Sequence, residues 1–487
     1  MKTQLTLCIS GTLTLIGMSG CEKTLERPMN VVYILADDLG YGDVGCYGQQ
    51  IIKTPNIDRM AKEGMLFTQH YAGCTVSAPS RCSLMTGLHT GHTQVRGNRE
   101  ITPEGQQPMR EDTYTLGKLM KSAGYTTGIF GKWGLGNPGS VSIPNKMGFD
   151  EFYGYNCQRQ SHSFYPDHLW HNEEKVLFPE NENNACKTYS QDLIHEQALK
   201  FIRDHKEQPF FAMLTYTLPH AELNLPHDSI YKMYENSFEE TPYIGKFDKV
   251  YGGYNTSEKP LASFAAMVSR LDKYVGDVMA ELKELGLDKN TIVIFASDHG
   301  ETMCSQFTDD PKNSPYSESM NIPFLVRYPG HIQPRVDNLL MSAPDIMPTV
   351  LGLCGLGDSI PSNVQGRNWA PLFFDEKAEI ERPGGALYIQ NLDGEKDADG
   401  KVQTYFPSSR GYKTARYTLA FYIDKKDHKL KKSLLFDDEK DPYQMNNLPL
   451  EENKEIVAEL CREMGKELKA IDDPWYKERI LSDMIPY

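Results

Sequence analysis

At 487 residues and 55.2 kDa, with 39% hydrophobic and 24% charged residues, the chain has room for one large domain plus a smaller one and is too apolar to be disordered. A formal charge of −15 and a pI of about 5.4 exclude nucleic-acid binding through bulk charge. 

The first twenty residues read as a leader. Lys2 precedes an apolar stretch, Leu5 to Met18, too short to span a membrane permanently. It ends in Met18-Ser19-Gly20-Cys21, which resembles a bacterial lipobox, with Cys21 acylated; an ordinary secretory leader with Cys21 incidental is the alternative. Either way the expectation is export, to the periplasm or as an outer-membrane lipoprotein of a Gram-negative cell. The ten cysteines show no CxxC or zinc spacing, and no bridge is expected.

The body alternates strands and helices. Asn30 to Ala36 is a continuous apolar run, as a strand buried on both faces reads. Thr54-Pro55 starts a helix, with Thr54 as N-cap. A helix from Thr113 to Ser122 feeds the strand Thr126–Phe130, and one from Gln191 to His205 feeds Pro209–Thr217. A fourth places Phe264, Met267, Val268, Leu271, Val275, Val278, Met279 and Leu282 on one face and leads into Thr291–Ala296. This order predicts an α/β fold, a large mostly parallel sheet sandwiched by helices. From residue 361 to 487 the texture changes: Tyr412–Ile423 and Lys432–Phe436 read as antiparallel strands and Glu452–Ile471 as a helix, a smaller C-terminal α+β subdomain following a domain over 28–360.

Polar clusters sit at the element ends, where open α/β sheets collect ligands. Asp37-Asp38 follows the first strand, Lys132 the second in Gly131-Lys132-Trp133-Gly134, His220 the third, and Asp298-His299-Gly300-Glu301 the fourth. An Asp pair alone is more often a cap or turn; with Asp298 it becomes a candidate site for a hard cation.

Ser77-Ala78-Pro79-Ser80-Arg81-Cys82-Ser83-Leu84-Met85-Thr86-Gly87 resembles the signature of type I sulfatases, members of the alkaline-phosphatase-like superfamily. There a maturase oxidises the first residue to formylglycine, whose hydrated aldehyde is the nucleophile. The resemblance runs from Asn30 to the Trp475 region. It implies Ser77 as the modified nucleophile and a metal contact, Arg81 as its orienting partner, and Lys132 and Lys312 as sulfate-holding lysines. Lys312 stands eleven residues before Pro323, the family's spacing. It further implies His220 as general acid, a role suited to a near-neutral pKa. Calcium is expected, magnesium less so, held by Asp37, Asp38, Ser77, Asp298 and His299.

Two positions depart from the family pattern: Gly134 stands where a histidine is common, with His92 as a candidate replacement, and Asn321 stands where an arginine is common. Between the clusters, aromatics and polar groups interleave from Phe152 to His162 and from Tyr165 to Trp170. The segment resembles one in bacterial glycan sulfatases, where an Asp-His pair reads an axial hydroxyl; Asp167 and His168 would do so here. The implied substrate is a sulfated carbohydrate, galactose or N-acetylgalactosamine 6-O-sulfate cleaved from a chain end, since an acidic protein favours one local anion over a long polyanion. The rivals are another sulfated position or sugar, a phosphomonoesterase or phosphodiesterase using unmodified Ser77, and an inactive glycan-binding relative.

Overall fold

The computed structural model describes residues 28–245, 254–303, 312, 314–390, 395–396, 402–403, 408–424 and 427–487; the expected leader and Cys21 lie outside them. Ten strands form one sheet, in the order Arg335–Asp337, Met65–Phe67, Phe324–Arg327, Thr291–Ser297, Asn30–Asp37, Phe210–Pro219, Thr126–Lys132, Glu151–Tyr155, His168–His171, Glu174–Leu177. The five from Thr291–Ser297 to Glu151–Tyr155 are parallel; Phe324–Arg327 and the two His168–Leu177 strands run antiparallel at either side. 

The apolar run of the first strand feeds two cores. Val31, Tyr33 and Leu35 enter one and Val32, Ile34 and Ala36 the other, the period-two alternation of a strand covered on both faces. Helices Pro55–Glu63, Ser190–Asp204 and Pro260–Glu284 pack on the Val32 side. Helices Ser77–Thr86, Leu116–Ser122, Ile346–Leu353 and Ala370–Phe374 pack on the Val31 side. 

Two helix starts differ from expectation. Thr54 occupies the cap position without capping: its hydroxyl accepts from Gly45 N at 2.8 Å and donates to Asp58 at 3.1 Å. Asp272, from the Pro260–Glu284 helix, accepts from Asn56 N and Ile57 N, both at 2.8 Å, instead. The helix expected from Thr113 begins at Leu116, where the Thr115 hydroxyl accepts from Lys118 N at 3.2 Å.

Ala386–Gln390, Ser409–Lys413, Tyr417–Ile423 and Leu430–Asp437 form a four-stranded antiparallel sheet. The stretch Tyr412–Ile423, read as one strand, is broken by a turn that Thr414 closes: its hydroxyl accepts from Tyr417 N at 2.8 Å, and its own N–H donates to Tyr417 O at 2.8 Å. The Lys454–Ala470 helix covers one face through Leu460, Cys461, Met464 and Leu468. The other face meets the large domain: Tyr388 packs with Tyr71 and Met320, and Tyr422 and Phe436 pack with Tyr316. Among the described residues no helix is long and apolar enough to cross a membrane, and Cys46, Cys74, Cys82, Cys157, Cys186, Cys354 and Cys461 are free thiols.

Candidate active site

Adjacent strand residues point to opposite faces, so Asp37 and Asp38 share a site only if the chain leaves the strand between them. It does: the register shifts after Leu35 and Asp38 takes φ 67°, a left-handed conformation that a non-glycine residue adopts at a cost. Asp37 and Asp38 converge there with Ser77, Arg81, Lys132, His220, Asp298 and His299, none more than 4% exposed. Half-buried Lys312 joins them.

The Ser77 motif forms the Ser77–Thr86 helix, with Ser77 in its first turn. That puts the Ser77 hydroxyl at the positive end of a helix dipole, 3.1 Å from Asp37 Oδ1 and 3.2 Å from His299 Nε2. Arg81, one turn on, donates through Nε to Asp298 Oδ2 at 2.9 Å and through Nη1 to Lys132 O at 3.0 Å. The motif's closing glycine ends the helix: Gly87 takes φ 68° and donates to Ser83 O, the left-handed stop that glycine adopts cheaply.

The Lys132 ammonium meets Asp37 Oδ2 at 2.6 Å. Lys312 pairs with Asp38 Oδ2 and, at 3.2 Å, with Glu301. Burial alone would raise the Asp37 carboxyl, but Lys132, Arg81, His220 and Lys312 together hold it well below the usual range. Burial pushes Glu301 up to about 8, against the pull of Lys312. Asp37, Asp38 and Asp298 thus face Arg81, Lys132 and Lys312, three charges of each sign.

A cation fits between the carboxylates. Asp38, Asp298 and His299 each offer a ligand atom within 4.8 Å of the others. His299 Nδ1 lies 2.9 Å from Gly300 O; a carbonyl can only accept, so Nδ1 carries the proton and Nε2 presents its lone pair. That lone pair faces Asp38 Oδ1 at 3.2 Å, an oxygen with no hydrogen-bond donor. A metal ion between them would reconcile two acceptors so close, as would a proton on Nε2. Asp298 carries the same sign: burial, then Asp37, raise its carboxyl despite Arg81. 

His220 lies 3.5 Å from Asp38 Oδ2 through Nε2. Burial pushes its imidazole down to about 3, Asp38 opposing, below the near-neutral range expected for it. Its ring stacks on His162 at 4.9 Å and lies 5.8 Å from Tyr254. Sequence reasoning gave no role to Glu301, His162 or Tyr254. Glu301 was legible only as the end of the Asp298 cluster, and a lone histidine closing an aromatic loop carries no signal.

Gly134 is where the structure disfavours a histidine, which would strain the backbone and displace the Gln158 side chain. Its φ is 71°, and a Cβ there would lie 2.1 Å from Gln158 Nε2. Gly134→His is therefore expected to destabilise by about 1–3 kcal/mol, read as a lowered melting temperature, and Gln158→Ala in the same chain should recover part of it. His92 is not among the site's charges; the nearest acting on it are Asp473 and Arg410. Asn321 is structural, donating to Thr68 O at 3.2 Å and accepting from Tyr41 N at 3.2 Å. Asp167 and His168 pair with each other at 2.8 Å, and His168 Nε2 lies 3.0 Å from Glu104, which also accepts from Trp170 at 2.6 Å.

Comparison with known proteins gives this geometry a family. Residues 29–356 match the Sulfatase family profile, and residues 309–472 match that described as N-sulphoglucosamine sulphohydrolase, C-terminal. The chain is 47% identical to the endo-4-O-sulfatase of Bacteroides thetaiotaomicron, over 98% of this chain and 100% of that one. It is 30% identical to the N-acetylgalactosamine-6-sulfatase of Rattus norvegicus, over 73% and 68%. A solved B. thetaiotaomicron structure, described under the metabolism of multiple glycosaminoglycans, superposes with a TM-score of 0.81 at 45% identity, covering 95% of this chain and 100% of that one. The phosphonate monoester hydrolase of Agrobacterium radiobacter shares the fold at a TM-score of 0.68, 21% identity and 93% and 96% coverage, so the scaffold alone does not choose sulfur over phosphorus. The sequence similarity does: the chain belongs to the sulfatase family and hydrolyses sulfate esters.

Proposed function

We propose that this chain desulfates glycans through a formylglycine made from Ser77, preferring a 4-O-sulfated galacto-configured sugar within a chain. The observation that carries the nucleophile is the Ser77 hydroxyl, held at a helix start between Asp37 and His299 and flanked by buried Lys132. Formylglycine would supply, as its hydrate, an oxygen nucleophile that a serine hydroxyl matches poorly at neutral pH. A divalent ion, calcium over magnesium given the carboxylate donors, would supply charge neutralisation at the sulfuryl oxygens.

The chain's own residues do the rest. Lys132 and Lys312 turn from Asp37 and Asp38 toward sulfate oxygens, drawing an anion into a protein of overall negative charge. Arg81 fixes Asp298 and, from 3.4 Å, Asp37. His220 acts on the leaving oxygen, its proton affinity rising once an anionic sulfate fills the site. Asp167, its side chain 45% exposed, is the member of the Asp167–His168 pair placed to accept from a sugar hydroxyl.

The preferred position follows the weight of similarity. Cleavage at 6-O has its support in relatives near 30% identity named N-acetylgalactosamine-6-sulfatase; the 47% relative is an endo-4-O-sulfatase, which favours an internal 4-O ester over the 6-O ester of a chain end. A lipid anchor at Cys21, export and a maturase acting on Ser77 complete the reading. A phosphatase reading is weaker, since two-metal phosphotransfer needs a second ligand set and the described residues hold one such cluster.

Two measurements test it. Mass spectrometry of the Ser77 peptide from the native cell should find it lighter by two hydrogens; intact serine at full activity overturns the nucleophile. A panel of 4-O- and 6-O-sulfated N-acetylgalactosamine, free and within oligosaccharides, beside 6-O-sulfated glucosamine should show fastest release from the internal 4-O ester; preference for glucosamine overturns the sugar assignment.

A further inference from the structure

We propose that His162 is a positioning residue that holds the His220 ring in its working orientation by stacking. This rests on the reading of His220 as the group acting on the leaving oxygen. 

A catalytic imidazole is ordinarily aimed by a hydrogen bond to the nitrogen it does not use. His220 lacks one: Nδ1 is buried with no partner among the described residues, and Nε2 sits 3.5 Å from Asp38, beyond a good hydrogen bond. What touches the ring instead is aromatic. His162 lies nearly parallel to it, with centroids 4.9 Å apart and planes at 20°. Tyr254 closes a triangle, 5.3 Å from His162 and 5.8 Å from His220. All three separations fall in the range where ring pairs attract.

The supporting rings are themselves anchored. His162 ends the short helix Gln160–His162, in the loop that leaves the Glu151–Tyr155 strand, the neighbour of the Lys132 strand. Its N–H donates to Arg159 O at 3.1 Å, and Ser161 Oγ donates to Gln158 O at 2.7 Å. In the second segment, Asn255 next to Tyr254 donates to the Glu222 carboxyl at 3.1 Å through Nδ2. Glu222 stands two residues past His220 and is fully buried. The orientation of His220 is thus set by two segments whose rings meet each other against it, with His162 making the parallel contact. Phenylalanine at 162 would keep the flat ring and lose the nitrogens; alanine would lose both.

The test is a cycle of His162→Ala, His162→Phe, His220→Ala and the His162→Ala/His220→Ala pair, with kcat, KM and melting temperature measured on the best substrate of the panel above. Expected for His162→Ala is a kcat loss of about tenfold or more with KM within about twofold. His162→Phe should return to within about threefold of the parent, and His162→Ala should cost no more than about twofold once His220 is gone. Should the alanine variant not fold, His162→Leu takes its place, apolar but without a flat ring. A loss that persists in the His220→Ala background overturns the proposal, as does a phenylalanine variant no better than alanine, or a change in KM with kcat intact. A near-normal rate for His220→Ala overturns the role given to His220 itself; a slow His220→Ala with an additive pair overturns the positioning role alone.

Discussion

Replacing Lys132 with methionine is expected to lower kcat/KM by at least about 10²–10³-fold, the scale of losing one preorganised group at a developing charge. The same change strips Asp37 of its 2.6 Å partner in a place water does not reach, and breaking a buried pair by removing one member costs about 3–5 kcal/mol. Two effects therefore coincide and must be separated. Lys132→Met with Asp37→Asn removes both charges together, so urea unfolding should show most of the lost stability restored. Activity should stay lost. A double variant with recovered turnover would take Lys132 out of the chemistry and leave it a structural counter-ion.

Asp298→Asn is expected to be as damaging for a different reason. One Asp298 oxygen accepts from Asp38 N at 3.2 Å and His299 N at 2.9 Å, and the other accepts from Arg81 Nε at 2.9 Å. The carboxylate thus fixes Asp38 and His299, the neighbouring candidate cation ligands, and Arg81 one turn from Ser77, while offering its own charge. An amide supplies one accepting oxygen and turns a donor toward another donor. The expected loss is at least about 10²-fold in metal affinity or activity. In the parent, chelation should abolish turnover and calcium should restore it; the variant should not recover at the concentration that saturates the parent. Full activity in a chelated parent would remove the metal from the mechanism.

What could be read from the sequence was set by local chemistry. The apolar runs of Asn30–Ala36 and Thr291–Ala296 have only one comfortable place, a strand between two helical layers, and polar residues at their ends face the site because the sheet is parallel. The Ser77 signature was legible because it resembles a family motif, and Gly87 in it ends the helix as a glycine does. What escaped depends on contacts distant in sequence. Asp272 caps a helix more than two hundred residues earlier, the left-handed turn at Asp38 exists to bring two carboxylates to one side, and His162 meets His220 only because two loops fold over the same strand ends. The break at Thr414 was hidden because a threonine hydroxyl, not a glycine or proline, closes the turn.

The small antiparallel sheet has one more consequence. Tyr316, which packs on Phe436, is four residues from Lys312, and Ser317 N donates at 2.7 Å to Gln444 Oε1, whose amide nitrogen reaches Thr418 at 3.0 Å. The segment bearing Lys312, which pairs with Asp38 and Glu301, is therefore braced from the far end of the polypeptide. A fragment trimmed to the first 360 residues would keep the nucleophile and every carboxylate yet lose the buttress behind one wall of the pocket, so the tail is part of the catalyst and not an appendage to it.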